Sequence, residues 1–423
     1  MKILSITAQK PHSTGSGTYL TALVDSFAAA GHEQSVVCGI FPDDTVSFPD
    51  GVTCHPVFFS HRSQAAGEPS LLFTPCKDRK RTATGLPYPV VGMSDKMPYE
   101  STRYRDMTPA MIRQFEDAFI PAVRRAVDEL EPDLIICHHL FLLTAMIRKH
   151  FPDRLIFGLS HGSDLRQMDY CPHLAEAVKP WIAGLDRILA LHDEHKNRIA
   201  GLFGITEDRI SVIGSGYSGK LFNREGRTPR DVSDPVRICY AGKMSRSKGV
   251  PELLKVFRMM SANDPAPAFT AELAGGCQDE EIHRDLDMLP DNIVWHGQIP
   301  QQELAAIFRR SDIFVLPSYY EGLPLVLIEA MASGMIPVST DLPGVRPWVE
   351  ENVRNQNVIF VPMPEMADID TPTEAGRAKF TYDLYDALLK AAADVNAASG
   401  KALPDTSGVT WDGVAARITA LAK

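Results

Sequence analysis

The chain has 423 residues, 44% hydrophobic and 23% charged, with a formal net charge of -10. That length supports two substantial cores, and the negative balance excludes a general nucleic-acid binder, so any anion site must be a focal cluster of cations. Seven cysteines, scattered and without paired spacing, exclude a disulfide framework, a zinc site and a redox motif, and fit reduced core thiols of a cytosolic protein.

Lys2 to Ala8 reads as a strand, too short an apolar run for a signal peptide. Thr18 to Ala30 reads as a helix closed by Gly31, and Gln34 to Cys38 as the next strand, the opening of a parallel α/β domain. Gly15-Ser16-Gly17 between them is either a plain tight turn or a place where a ligand approaches the backbone closely; Leu20 stands where a dinucleotide fingerprint needs its third glycine. Ser60 to Arg113, rich in Pro, Ser and charge, reads as an elaborated loop, and its Lys77-Asp78-Arg79-Lys80-Arg81 cluster suits an acidic acceptor or an anionic lipid surface. Buried-strand candidates follow at Leu134 to Cys137, Leu155 to Leu159, Arg187 to Leu191 and Ile210 to Ile213, separated by helices such as Asp193 to Phe203. His161-Gly162-Ser163-Asp164 ends the Leu155 strand, where a side chain projects from the carboxyl edge of the sheet; His138-His139, beyond the neighbouring strand, read as structural. No metal-ligand spacing surrounds them. Gly214 to Lys220 has the glycine and lysine spacing of a P-loop, but Leu221 replaces the magnesium-binding Ser or Thr and no helix follows, so it reads as the exit from the first domain.

Asn223 to Pro235, polar and rich in Arg, Asp and Pro, reads as a linker. The pattern then restarts with strands at Val236 to Ala241, Phe269 to Ala274, Ile293 to His296 and Ile313 to Leu316, and helices at Pro251 to Ser261, Glu303 to Arg310 and from Leu325. Asp368-Ile369-Asp370 reads as a solvated loop, and Trp411 to Leu421 as a short amphipathic helix. Two Rossmann-like doubly wound parallel-sheet domains facing a central cleft are expected.

Two stretches of the second half carry chemistry. Gly242-Lys243-Met244-Ser245-Arg246-Ser247-Lys248-Gly249 leads from a strand into a helix, and two ammonium groups at a helix start suit a diphosphate, against the plainer reading of a solvated basic turn. In Tyr320-Glu321-Gly322-Leu323-Pro324-Leu325-Val326-Leu327-Ile328-Glu329-Ala330, Gly322 is expected to supply positive φ in a turn and Pro324 to begin a helix. Glu321 then lies before the helix and Glu329 inside it. Carboxylates accept hydrogen bonds from sugar diols while free amides at a helix start attract phosphate, so one turn can hold both halves of a nucleotide sugar. The plainer alternative is a capped core helix with a solvated glutamate.

Together the glycine turn, the HGSD strand end, the GKMSRSKG turn, the LAGG strand end at Leu273 to Gly276 and the EGLPLVLIE segment resemble family 4 of the retaining glycosyltransferases (glycosyl transferases group 1), which have the two-domain GT-B fold. The resemblance spans most of the chain. It implies an acceptor-side domain over 1–220 with an insertion at about 60–113, a nucleotide-sugar-binding domain over 221–405, and a terminal helix over 406–423 packing back toward the first domain. Lys243 and Lys248 are then expected to hold the donor diphosphate and Glu329 the ribose. Glu321 is expected to contact the transferred sugar, with the segment Gly322, Leu323, Pro324 and Leu325 offering backbone amides beside it, none of them from Pro324, which lacks an N–H. His161 falls next to the reacting centre, with Gly15, Ser16 and Gly17 near the phosphates. Family members usually carry arginine at the position of Lys243, and lysine gives up the bidentate fork.

The implied reaction is a hexosyl-type transfer from a nucleoside diphosphate sugar to an unidentified acceptor hydroxyl with retention, in glycan, glycolipid or glycoconjugate synthesis. Attack is expected on the face the leaving group departs from, the departing phosphate taking the acceptor proton. Neither a cofactor, a metal nor a nucleic-acid partner is expected. A cytoplasmic location is, with peripheral contact at the inner face of the membrane and the oligomeric state left open. The rivals are a nucleotide-sugar epimerase of the same architecture and a nucleotide-sugar-binding protein without transfer.

Overall fold

The structure, a computed structural model, describes residues 1–61, 85–94, 97–262, 267–397 and 402–423. They fall into two compact units, Met1–Gly214 with Trp411–Lys423, and Ser215–Thr410.

In the first unit, strands β1 (Lys2–Thr7), β2 (Glu33–Ile40) and β3 (Thr53–Phe58) are followed by the two-residue strands β4 (Val91–Gly92) and β5 (Thr102–Arg103), then by β6 (Leu134–His138), β7 (Ile156–Leu159), β8 (Arg187–Ala190) and β9 (Ile210–Val212). The main sheet has the order β3-β2-β1-β6-β7-β8-β9, with every pairing parallel. The order reverses direction between β1 and β6, which makes the carboxyl ends of those strands the natural ligand position of this unit. Helices α1 (Gly15–Ala29), α2 (Pro109–Leu130), α3 (Leu142–His150), α4 (Ser163–Tyr170), α5 (Pro172–Ala183) and α6 (Asp193–Phe203) alternate with the strands. Thr14 caps α1 by accepting from Gly17 N, and Thr108 caps α2 by accepting from Met111 N with Pro109 in the first turn.

The strand β3 has no counterpart in the sequence reading. Its Pro56 argues against a central strand, but β3 is an edge, where a missing N–H costs little. The segment from Ser60 to Arg113 is not all loop: β4 pairs with β5, and α2 begins at the Thr108-Pro109 cap. Cys76 and the Lys77 to Arg81 cluster lie outside the described residues.

In the second unit, β10 (Val236–Ala241), β11 (Phe269–Ala274), β12 (Ile293–Trp295), β13 (Ile313–Leu316), β14 (Ile336–Thr340) and β15 (Ile359–Val361) form a parallel sheet in the order β12-β11-β10-β13-β14-β15. Its direction reverses between β10 and β13. Around it lie α7 (Val250–Ala262), α8 (Glu280–Asp287), α9 (Gln301–Arg310), α10 (Leu325–Ala332), α11 (Val345–Asn352) and α12 (Glu374–Asn396). Asp368-Ile369-Asp370 sits at the tip of a small antiparallel ladder, β16 (Met366–Asp368) with β17 (Thr371–Pro372). The last helix, α13 (Trp411–Leu421), belongs to the first unit, where Trp411 meets the Tyr19 ring edge-on at 4.7 Å and Arg417 donates to Ile213 O at 2.9 Å. Among the described residues no helix is long and apolar enough to cross a membrane.

The Asn223 to Pro235 stretch, expected as a linker, lies within the second unit and is pinned there by charge. Asp312, just before β13 and 5% exposed, takes Arg237 Nη2 at 2.7 Å, Arg227 Nη2 at 3.4 Å and Arg230 Nε at 3.3 Å. One buried carboxylate thus holds three guanidinium groups that would otherwise repel one another. Asp312→Ala is therefore expected to lower the unfolding free energy by about 3–5 kcal/mol in urea titration, the usual cost of leaving buried charge uncompensated; a loss under about 1 kcal/mol would contradict this.

Candidate functional site

The switch point of the second sheet is built from two turns in close contact. After β10 the chain is tied to the neighbouring strand end by Gly242 N to Ala274 O and Met244 N to Gly276 O, both 3.0 Å. It then makes a single 3-10 turn over Arg246–Lys248 and leaves through Gly249 at φ 64°. A Cβ on Gly249 would lie 2.1 Å from Pro317 O, so only glycine lets this turn press against the one after β13. Tyr319 N donates to Ser247 O at 2.9 Å across the same seam. The result is one continuous rim made of residues far apart in sequence.

On that rim Lys248 Nζ donates to Glu321 Oε1 at 2.6 Å and to Tyr320 O at 3.3 Å. Both side chains are about one fifth exposed, 22% and 19%, so the pair opens to solvent while its stems are packed. Lys243 accepts Tyr240 OH on its backbone oxygen at 2.8 Å. Arg246, in the same turn, reaches away to Asp279 at 3.3 Å and to Glu281, both at the start of α8.

Helix α10 begins at Leu325 with Pro324 in the capping position and no side chain bonding its first amides. Leu327 N donates to Pro324 O at 3.1 Å, so among the described residues the amides of Leu325 and Val326 are the ones left for solvent or an anion. Gly322 is not among the left-handed glycines, which corrects the expected positive φ; in this seam the left-handed residue is Gly249. Glu329 lies in the second turn of α10, 5% exposed, and burial pushes its carboxyl up to about 8. Lys248 and Glu321 are thus brought into direct contact, and Glu329 follows on the helix that their turn initiates.

In the first unit Gly15, Ser16 and Gly17 open α1, and their contacts differ. A Cβ on Gly17 would sit 2.9 Å from Lys10 O, so this glycine admits the chain's own loop, whereas nothing lies within 4 Å of the Cβ position of Gly15. Ser16 Oγ donates to Gln9 Oε1 at 3.2 Å. His161, just beyond β7, contacts two histidines that the sequence reading set aside: its Nε2 is 3.0 Å from His138 Nδ1, and its ring centroid is 4.7 Å from that of His139. Asp164, fully buried, explains why the HGSD strand end has this sequence. Its Oδ1 accepts from His161 N at 3.0 Å and its Oδ2 from Leu140 N at 2.8 Å, joining the turns after β6 and β7. Burial and the surrounding His139, His138 and His195 hold the His161 imidazole well below its ordinary pKa, so it is neutral near pH 7. Among the described residues no group of three or more His, Cys, Asp or Glu could hold a metal ion.

Comparison with known proteins gives a consistent picture. Residues 93–218 match the model described as Glycosyltransferase Family 4, and residues 225–369 match that described as Glycosyl transferases group 1. A glycogen synthase of Mycobacterium tuberculosis is 27% identical over 173 residues, 40% of this chain and 41% of that protein. The chain thus spans about two fifths of the length of the curated relatives it matches first. Among solved structures, sucrose-phosphate synthase from Thermosynechococcus elongatus superposes with a TM-score of 0.64 at 16% identity, covering 100% of this chain and 98% of that one. HepE of Anabaena in complex with UDP-glucose gives 0.60 at 14% identity, covering 100% and 99%. At these identities the structural likeness shows the GT-B fold.

The elevated carboxyl pKa of Glu329 sets the sign of a pH effect. The folded state holds that proton up to about pH 8, whereas an unfolded glutamate releases it near 4.5, so the native chain loses stability as pH rises between those values. Glu329→Gln has no such loss. Its melting temperature relative to the parent protein is expected to rise from pH 5 to pH 8 and then level off; a difference independent of pH would show that Glu329 is ionised in the fold.

Proposed function

We propose that this chain, which belongs to the family 4 glycosyltransferases with the GT-B fold, transfers a sugar with retention from a nucleoside diphosphate sugar to an acceptor hydroxyl, without a metal ion. The observation that carries the reading is the Lys248–Glu321 pair at 2.6 Å on the switch point of the second sheet. A cation and a carboxylate held side by side, next to the open amides of α10, match a ligand that joins a phosphate to a polyol. In this reading Lys243, Lys248 and the backbone amides between Gly322 and Leu325, Pro324 having no N–H to give, take the diphosphate, Glu321 the transferred sugar and Glu329 the ribose. His161 of the first unit takes a sugar hydroxyl. The HepE complex with UDP-glucose supports this class of donor.

The chemistry asked of these groups is electrostatic. As the bond from the anomeric carbon to the diphosphate breaks, negative charge grows on the leaving phosphate, and Lys243, Lys248 and the helix amides meet that charge without reorganising. The phosphate oxygen so exposed takes the proton from the acceptor hydroxyl as it attacks on the same face. Glu321, tied to Lys248, is oriented to hold hydroxyl groups of the transferred ring. Free thiols at all six described cysteines support a reducing, cytoplasmic setting. Peripheral membrane contact belongs to the same reading, through the Lys77 to Arg81 cluster outside the described residues.

A thermal-shift panel of UDP-, GDP- and ADP-sugars tests donor binding. One class is expected to stabilise the protein by about 2.7 kcal/mol at 100 times its dissociation constant, and no response to any of them would reject the reading. With that donor, Lys248→Ala is expected to cut transfer by about 30- to 1,000-fold, the equivalent of about 2–4 kcal/mol of transition-state stabilisation. Full turnover in the variant would remove Lys248 from the site. Isomerised sugar formed without an acceptor would favour the epimerase rival, and binding without transfer or hydrolysis the non-catalytic one.

A further inference from the structure

His161 does not stand alone at the carboxyl edge of the first sheet. The ring of His138, the last residue of β6, lies parallel to that of His161 within 16° at a centroid distance of 5.2 Å, and Tyr19 of α1 meets His161 edge-on at 5.1 Å. With His161 N also held by Asp164, the ring is fixed from several sides. Its Nε2 is engaged by His138 Nδ1 at 3.0 Å, and no described group bonds its Nδ1. His161 is partly exposed, so Nδ1 is the atom left to meet a ligand.

Which nitrogen of His161 carries the proton follows from its neighbour. His138 is 3% exposed and its Nε2 is buried without a partner among the described residues. Burial, with His139 beside it, keeps its imidazole neutral, with one proton to place. A proton on Nε2 would leave a buried N–H with no acceptor, forfeiting the hydration of that group, whereas a proton on Nδ1 is used in the bond to His161. The same logic operates one strand over. His195 Nδ1 accepts from Leu191 N at 3.3 Å, which leaves its proton on Nε2, 3.1 Å from Ser160 Oγ.

We propose that His138 is a positioning residue that sets the tautomer of His161, donating its Nδ1–H to His161 Nε2 so that His161 presents a neutral Nδ1–H donor to a ligand oxygen. His161 so arranged cannot act as a base through its exposed nitrogen, because that atom already bears the proton. It supplies one directed hydrogen bond to a lone pair, the chemistry of recognising a sugar hydroxyl or ring oxygen. The functional meaning rests on the assignment of His161 to a sugar made above, whereas the tautomer can be measured apart from it.

The test is a long-range 1H–15N spectrum of the full chain labelled with 15N-histidine at pH 7, with the His161 signals identified by their loss in His161→Gln. The expected result is a neutral ring protonated on Nδ1 in the parent protein and in His138→Asn, whose side-chain amide keeps an N–H near the Nδ1 position. In His138→Leu, which has no donor there, the proton is expected to redistribute toward Nε2. A parent protein with His161 protonated on Nε2, or a tautomer unchanged in His138→Leu, would overturn the proposal. Should His138→Leu fail to fold, the parent spectrum decides alone. A separate thermal shift with UDP-glucose on His161→Phe isolates the sugar reading: an undiminished shift there rejects the contact and leaves the tautomer result standing.

Discussion

The approach of the turn after β10 to the turn after β13 is the constraint on which the second unit's chemistry depends. Gly249 has no side chain because Pro317 O occupies the space where one would go. With any other residue the seam would open, and Lys248 could not hold both Tyr320 O and Glu321 while its stem stays packed. A similar economy appears at Gly275, where a Cβ would fall 1.7 Å from Gly242 O. Gly249 lies in the turn after β10 and Gly275 directly after β11, so the sheet order and the missing side chains together fix where the cation and carboxylate meet.

Charge is treated differently in the two units. In the second, opposite charges are paired at a partly exposed rim, where a ligand can exchange partners with them at little cost in desolvation. In the first, the groups after β6, β7 and β8 are histidines that burial keeps neutral; His138 and His139 are each pushed down to about 3. A set of neutral donors and acceptors suits hydroxyls, which both donate and accept, and gives an anion no net charge to bind. Glu329 is the exception in the second unit, a carboxyl buried enough to be held neutral near pH 7.

Much of this was legible in the residues. The period of the apolar runs placed β10, β11, α6 and α13 residue for residue, because parallel strands buried on both faces and capped helices leave strong local signatures. The Glu321 to Glu329 spacing showed one acid before a helix and one within it. What failed, failed for particular reasons. Pro56 hid an edge strand, the chain's wealth of Arg and Asp over Asn223 to Pro235 looked like a solvated linker, and Gly322 attracted a role that the backbone gives to Gly249. Each miss involves a partner distant in the chain, which composition cannot display.

By itself the sequence determined the class of the two sheets, the acids and cations available and the turns that carry them, since these depend on periodicity and on residues within a few positions of one another. Only the tertiary structure decided which of them meet. That Lys248 finds Glu321, that Asp312 gathers three arginines, and that His138 rather than solvent faces His161 Nε2 are consequences of strand order and packing, which bring strand ends and loops together. The buried-neutral state of Glu329 and of the histidines is likewise set by packing from distant segments, because desolvation is a property of the surroundings and not of the residue.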